Sequence, residues 1–141
     1  MLLLELRMKI DLMVGSSRWV DTATLASEVE AAGLSGMVFT ETGQTPWLSI
    51  AAAATAAPSL TYSTGIAVAF GMSPMVAASL AWELADNTGG RFRLGLGSQV
   101  RAHVERRYGA EFDPPVGPTP HYTPAVQANP TAFHRHPAPP H

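Results

Sequence analysis

Between residues 8 and 113, four short apolar segments are each followed by a helix-start signal. A chain that repeats strand and helix in this way favours parallel strands joined by right-handed helical crossovers. The sequence therefore predicts an α/β fold. The strand-like segments are residues 9–14, 37–40, 60–69 and 92–96.

Two of the helix starts combine a capping hydroxyl with a proline. Thr45-Pro46 and Ser73-Pro74 each place a good N-cap before a proline at the first helical position, where no amide hydrogen is needed. Asp21 is expected to cap the first helix. The second and third helices are thus predicted to begin at Pro46 and Pro74.

The fourth strand is framed by glycines within residues 88–99. Gly89 and Gly90 permit the positive φ values that end a helix, and Ser98 is a suitable N-cap for a helix to about Tyr108. Backbone N–H groups after Gly97 would then be free to meet an anionic or polar ligand. This arrangement recurs in many α/β enzymes, so it names no reaction by itself.

Composition excludes several classes of function. The chain has 141 residues, a net charge of −2 and no cysteine, so it offers no nucleic-acid footprint, disulfide, thiolate nucleophile or zinc–thiolate site. The apolar run 50–57 is far shorter than the roughly 20 residues of a membrane span. The first residues lack a basic n-region, and Met8 is an alternative start. A cytoplasmic protein that binds no membrane is expected.

The last 28 residues differ in composition. Residues 114–141 contain nine of the twelve prolines and four of the five histidines, with no acidic residue. Repeated proline opposes helix and sheet formation, so this tail is predicted to be disordered. The organisation expected is a folded region over residues 1–113 and a Pro/His-rich tail over 114–141. The irregular spacing of the tail histidines predicts no metal site.

An ordered set of short motifs across residues 8–113 resembles the luciferase-like oxidoreductases of the bacterial luciferase superfamily, especially the branch that uses the deazaflavin F420. The glycine-framed fourth strand is the most specific motif, and it continues in register to Arg106-Arg107-Tyr108. The other motifs are Glu28-Val29-Glu30-Ala31-Ala32-Gly33, Val38-Phe39-Thr40-Glu41-Thr42, Thr64-Gly65-Ile66-Ala67-Val68-Ala69-Phe70 and Ser73-Pro74-Met75.

The resemblance implies a (β/α)₈ TIM-type barrel with its cofactor at the carboxyl ends of the strands. A complete barrel needs about 250 residues, so this chain is expected to form the N-terminal half, about four βα units. The resemblance extends to about Pro114. The later strands, which in the family help to bind the phosphate-bearing tail of the cofactor, have no counterpart in the sequence motifs. Gln44-Thr45 stands where a His-Asp pair is common, and Gly71-Met72 where a basic residue is common.

The resemblance also assigns site residues. Glu41 becomes the candidate catalytic group, with a solvated carboxylate as the alternative. A bulge in the third strand of the family, often with a non-proline cis peptide, supports the flavin-like ring, and Gly65-Ile66 is the matching place. The candidate cofactor-binding residues are Thr42, Gly65, Ile66, Gly97, Ser98 and Gln99. A role as the N-cap of the following helix would explain Ser98 equally well.

Three other side chains are expected to have structural roles rather than roles in catalysis or binding. Arg91 precedes its strand and so lies at the stability face of the expected barrel. Trp47 and Trp82 lie on predicted helices and are expected to pack rather than to stack on a ring.

The function implied is a hydride-transferring oxidoreductase that uses F420 and a small-molecule substrate, with FMN as the alternative cofactor. An FMN-dependent monooxygenase of the same superfamily is the nearest alternative. Two further hypotheses stay open. In one, the chain is a fragment that was truncated or shifted in reading frame near Pro114 and is inactive alone. In the other, it is an interaction module. In the last, the half-barrel forms a homo-oligomer and the proline-rich tail recruits a partner.

Overall fold

The computed structural model describes residues 8–98, 105–106 and 119–128. Strands and helices alternate as the sequence predicts. The strands are β1 (Asp11–Gly15), β2 (Gly36–Thr40), β3 (Thr61–Thr64), β4 (Ala67–Val68), β5 (Phe92–Arg93) and β6 (Leu96–Gly97). The α-helices are α1 (Trp19–Ala31), α2 (Pro46–Ala56), α3 (Pro74–Asn87) and α4 (Thr119–Ala128), and a 3₁₀ turn spans Ala69–Gly71.

Within the described residues, all strand pairs are parallel. β1, β2, β3 and β5 form one sheet in that order, and β4 pairs with β6 in a second, two-stranded sheet. Leu12 lies opposite Met37, Met37 opposite Tyr62, and Tyr62 opposite Phe92. The predicted α/β fold with consecutive parallel strands is confirmed.

Two predicted strands are each divided. The predicted break in the third strand is confirmed, since Gly65 and Ile66 separate β3 from β4. The fourth is also divided, because Leu94 and Gly95 separate β5 from β6. That second break was not predicted.

The proline helix starts are confirmed, with α2 beginning at Pro46 and α3 at Pro74. Ser73 caps α3 as expected, since its hydroxyl accepts a hydrogen bond from the Val76 N–H at 3.3 Å. Thr45 occupies the N-cap position of α2 but makes no side-chain capping bond.

The prediction for the first helix is wrong by three residues, almost a full turn. α1 begins at Trp19 with Arg18 at the N-cap, so Asp21 lies inside the first turn. A carboxylate there still suits the positive end of the helix dipole.

The core lies between the four-stranded sheet and the helices. Alternate strand residues face the helices, as the period of two requires, and they are Met37, Phe39, Tyr62 and Phe92. Ile50 and Ala53 of α2 complete this layer with no exposed surface. The Trp47 ring packs against Phe92 with centroids 6.3 Å apart, which confirms its packing role.

Tyr62 fixes α2 to the sheet. Its buried hydroxyl donates to the carbonyl oxygens of Ala57 at 2.6 Å and Ala53 at 3.0 Å, at the end of the helix. Burial and, to a smaller extent, the Glu30 carboxylate raise the pKa of this phenol, the Arg91 guanidinium lowers it, and the net result is a pKa of about 12. The neutral phenol is therefore the form that the fold favours.

Arg91 has the structural role expected of it. Its guanidinium donates to the carbonyl oxygens of Leu60, at 3.3 Å, and Pro58. It thereby fixes the loop that leads into β3.

Helix α4 departs from the predicted disorder of residues 114–141. Val126 is 7% exposed and packs with Ala69, Ala77 and Ala78, so burial stabilises a helix that contains Pro124. Packing of this kind overrides local propensity.

Much of the predicted fourth helix lies outside the described residues, as does the rest of the tail, although residues 105 and 106 are helical. In the described parts of the chain, no helix is long and apolar enough to cross a membrane.

The phenol of Tyr62 makes a prediction about alkaline stability. A free tyrosine ionises near pH 10, so the raised pKa means that stability is fully present below pH 10 and falls as the pH rises to about 12. Replacing Tyr62 with Phe should cost about 1 kcal/mol at pH 7, because the carbonyl oxygens lose their donor. The substitution should also remove the part of the alkaline loss of stability that comes from ionisation of Tyr62. Urea unfolding from pH 7 to 11.5 measures both, and equal alkaline losses in the two proteins would contradict the assignment.

Candidate functional site

The carboxyl ends of β2, β3 and β6 lie at one edge of the fold. Glu41-Thr42 follows β2, Gly65-Ile66 follows β3, and Ser98 follows Gly97 at the end of β6. Because the strands are parallel, their carboxyl ends lie together, which is where α/β folds bind ligands. The structure brings five of the six predicted cofactor-binding residues to this edge, whereas Gln99 lies outside the described residues.

The Gly65-Ile66 peptide is cis. It lies at the place to which the family resemblance assigned it. The Gly65 N–H donates to the Phe39 carbonyl oxygen at 2.8 Å. A Cβ on Gly65 would lie only 2.6 Å from Cγ1 of Val38, so a larger residue at position 65 would displace that side chain.

The side chain of Thr64 joins the third and fourth strands at their breaks. Its hydroxyl donates to the Gly95 carbonyl oxygen at 2.8 Å and accepts from the Gly95 N–H at 2.9 Å. The Ala67 N–H donates to the same carbonyl oxygen, also at 2.8 Å. We call these contacts the Thr64–Gly95 latch. It supplies hydrogen bonds where the regular ladder is interrupted.

Ile66 lies against the end of β6. A Cβ on Gly97 would approach Cδ1 of Ile66 to 2.7 Å, so a larger residue at 97 would displace this side chain. Ile66 itself is half-buried. Its remaining exposed surface gives the strand-end edge an apolar patch.

Glu41 is buried rather than solvated, with 4% of its surface exposed. Its Oε2 accepts a hydrogen bond of 2.7 Å from the N–H of Val68 in β4. The alternative of a solvated carboxylate is therefore wrong. This hydrogen bond ties the end of β2 to β4.

Hydroxyl groups complete the edge. The Thr40 hydroxyl donates to the Val14 carbonyl oxygen at 3.3 Å. Thr42 and Ser98 are exposed, and Oγ1 of Thr42 would lie 3.4 Å from a Cβ on Gly15. The edge therefore combines an apolar patch, glycine backbone and polar groups able to hydrogen-bond.

Sequence reasoning missed Thr64, Gly95 and Val68. The alternation of Phe92, Leu94 and Leu96 predicts a continuous strand across Gly95. A glycine inside a strand pattern indicates a close backbone approach, and that signal was present. A Cβ at this position would collide with the Thr64 carbonyl oxygen.

A separate cavity of about 310 Å³ opens between α2 and α3. It is lined by Trp47, Leu80 and Leu84 among others, and by no residue of the strand-end edge. Its position on the helical layer separates it from the candidate site.

Comparison with known proteins bears on this geometry. The family model described as luciferase-like monooxygenase matches residues 3–128. The chain belongs to the luciferase-like monooxygenase family. The match extends through α4, beyond Pro114, where the sequence resemblance was expected to stop.

The relatives of this luciferase-like chain include the uncharacterized proteins Mb1395 of Mycobacterium bovis and Rv1360 of Mycobacterium tuberculosis. Each is 34% identical over 110 residues, which cover 78% of this chain and 32% of the relative. The chain thus spans about a third of the length of these curated relatives.

Two solved structures share the fold. The monooxygenase RslO1 from Streptomyces bottropensis matches with a TM-score of 0.73 and 19% identity, over 85% of this chain and 42% of that one. The oxygenating constituent of 3,6-diketocamphane monooxygenase from Pseudomonas putida, a type II Baeyer–Villiger enzyme in complex with FMN, matches with a TM-score of 0.65 and 18% identity. That match covers 89% of this chain and 38% of the enzyme. The half-barrel architecture is confirmed by these matches to part of each chain.

The latch predicts a sharp difference between two glycines. Gly95→Ala should lower the free energy of unfolding by about 1–3 kcal/mol, because the new methyl group collides with the Thr64 carbonyl oxygen. Gly43→Ala is the matched control, since a Cβ there meets nothing within 4 Å, and its effect should stay within about 0.5 kcal/mol. Denaturant unfolding measures both. Equal effects would refute the latch.

Proposed function

We propose that this chain provides the ring-binding part of a flavin- or deazaflavin-dependent oxidoreductase that acts on a small-molecule substrate. The convergence of Glu41-Thr42, Gly65-Ile66 and Gly97-Ser98 at one edge carries the proposal. Membership of the luciferase-like monooxygenase family supports the same class of reaction.

The residues at the edge fit such a cofactor. A flavin or deazaflavin ring is flat and largely apolar, with polar atoms at its rim. Ile66 offers an apolar surface, and Gly97 admits this side chain, because a Cβ at position 97 would approach Cδ1 of Ile66 to 2.7 Å. Thr42 and Ser98 are exposed hydroxyl donors beside that surface. This combination of an apolar wall with a few polar groups is typical of cofactor sites.

Each part of the chain then has a separate task. Ile66 and the backbone of Gly65 support one face of the ring. The hydroxyl groups of Thr42 and Ser98 and the backbone at Gly97 bind polar atoms at its rim, and Gln99 is proposed to do the same. When bound, the cofactor supplies the redox chemistry, while the protein supplies orientation and electrostatics.

Hydride transfer through F420 is the reaction that the sequence motifs favour, with FMN as the alternative. The FMN complex of the Pseudomonas putida relative in fold supports the alternative. Both cofactors present a similar tricyclic ring to the edge described above, so the geometry of Ile66 and Gly97 serves either one. Titration with each cofactor separates them.

Cofactor titration of the purified chain tests the proposal. Quenching of F420 or flavin fluorescence should report binding of one cofactor to the wild-type chain. Ile66→Ala should weaken that binding about 10-fold, because the ring loses part of its apolar support. Leu48→Ala is the control, since Leu48 is exposed on α2, and it should bind like the wild type.

Two results of this titration would contradict the proposal. Absence of binding by the folded wild-type chain, with either cofactor in large excess, would reject it. Equal weakening by Ile66→Ala and Leu48→Ala would reject the assignment of the ring to this edge.

A further inference from the structure

The carboxylate of Glu41 takes the place of a missing strand partner. In the β2–β3 register Phe39 lies opposite Thr64, and continuing that register would set Val68 opposite Gly43. β2 ends at Thr40, however, so no ladder carbonyl of β2 extends to Val68. Oε2 of Glu41 accepts the Val68 N–H at 2.7 Å instead.

This contact closes one end of the segment that the cofactor is proposed to touch. On the other end, the Thr64 hydroxyl holds Gly95 through two hydrogen bonds of 2.8 and 2.9 Å. Gly65 and Ile66 therefore lie between two side-chain anchors. Movement of either anchor would move the backbone that faces the ring.

The two possible roles of Glu41 make different chemical demands. Holding an N–H requires only an acceptor oxygen, which a glutamine amide also provides. Transferring a proton requires an ionisable group. Because Glu41 is 4% exposed and one of its oxygens is engaged by a peptide N–H, its observed contact satisfies the first demand.

We infer that Glu41 is a positioning residue, which holds β4 and thereby fixes the Gly65-Ile66 segment for the cofactor ring, rather than a proton donor or acceptor. The part of this inference that concerns the ring rests on the proposed function. The part that concerns β4 does not depend on any cofactor.

Amide exchange of the unliganded chain tests the anchor. Glu41→Ala should speed exchange of the Val68 N–H by about 10-fold or more relative to the Tyr62 N–H, which donates to the Arg91 carbonyl oxygen. Glu41→Gln should keep it within about 3-fold of the wild type, because the amide oxygen replaces the carboxylate oxygen. Glu28→Gln, at an exposed carboxylate of α1, is the matched control and should change nothing.

Cofactor titration of the same variants tests the positioning role. Whichever cofactor the wild type binds, Glu41→Gln should bind within about 3-fold of it, and Glu41→Ala about 10-fold more weakly. If the wild type binds neither cofactor, the proposed function fails, while the exchange experiment still decides whether Glu41 anchors β4.

Two outcomes overturn the inference. One is a folded Glu41→Gln variant in which the Val68 N–H exchanges more than 10-fold faster than in the wild type; this variant decides the matter even where Glu41→Ala does not fold. The other is normal exchange and normal cofactor affinity in Glu41→Gln together with loss of turnover, which would assign a proton-transfer role to Glu41.

Discussion

The hydroxyl group of Thr64 joins two strands at the point where both leave their regular ladder. It donates to and accepts from the same peptide unit at Gly95. With these bonds in place, β4 and β6 pair beyond the break, with Val68 opposite Gly97. That pairing sets Ile66 against the end of β6. The contact of Ile66 with Gly97 therefore follows a strand pairing that begins at the Thr64–Gly95 latch.

Local signals in the sequence were sufficient for much of the fold. Proline at the first helical position predicted the starts of α2 and α3, because no amide hydrogen is needed there and the fixed φ of proline suits a helix. The parallel order followed from the alternation of strands and helices. Arg18 at the first N-cap was missed, since Asp21 is a better capping residue by type and only the path of the chain excluded it.

The sequence predicted which positions form the candidate site, but it did not predict the contacts between them. The strand-end residues follow from the family motifs, and the cis peptide at Gly65-Ile66 lies where those motifs placed it. The bond between Glu41 and Val68 joins residues 27 positions apart. Such a contact depends on the register of two strands and on where β2 ends, which no local pattern encodes. The same reason explains the latch, in which Thr64 and Gly95 are 31 positions apart.

Helix α4 has a consequence for the residues beneath it. Val126 packs onto Ala69, Ala77 and Ala78, and these alanines have at most 2% of their surface exposed. Interiors are close-packed, so an added methyl group at any of the three needs an equal loss of volume above it. The permitted sizes of side chains at the start of α3 are thus set by a segment much later in the chain. Among homologues that retain α4, these alanines and the residue at position 126 are expected to change size in opposite directions.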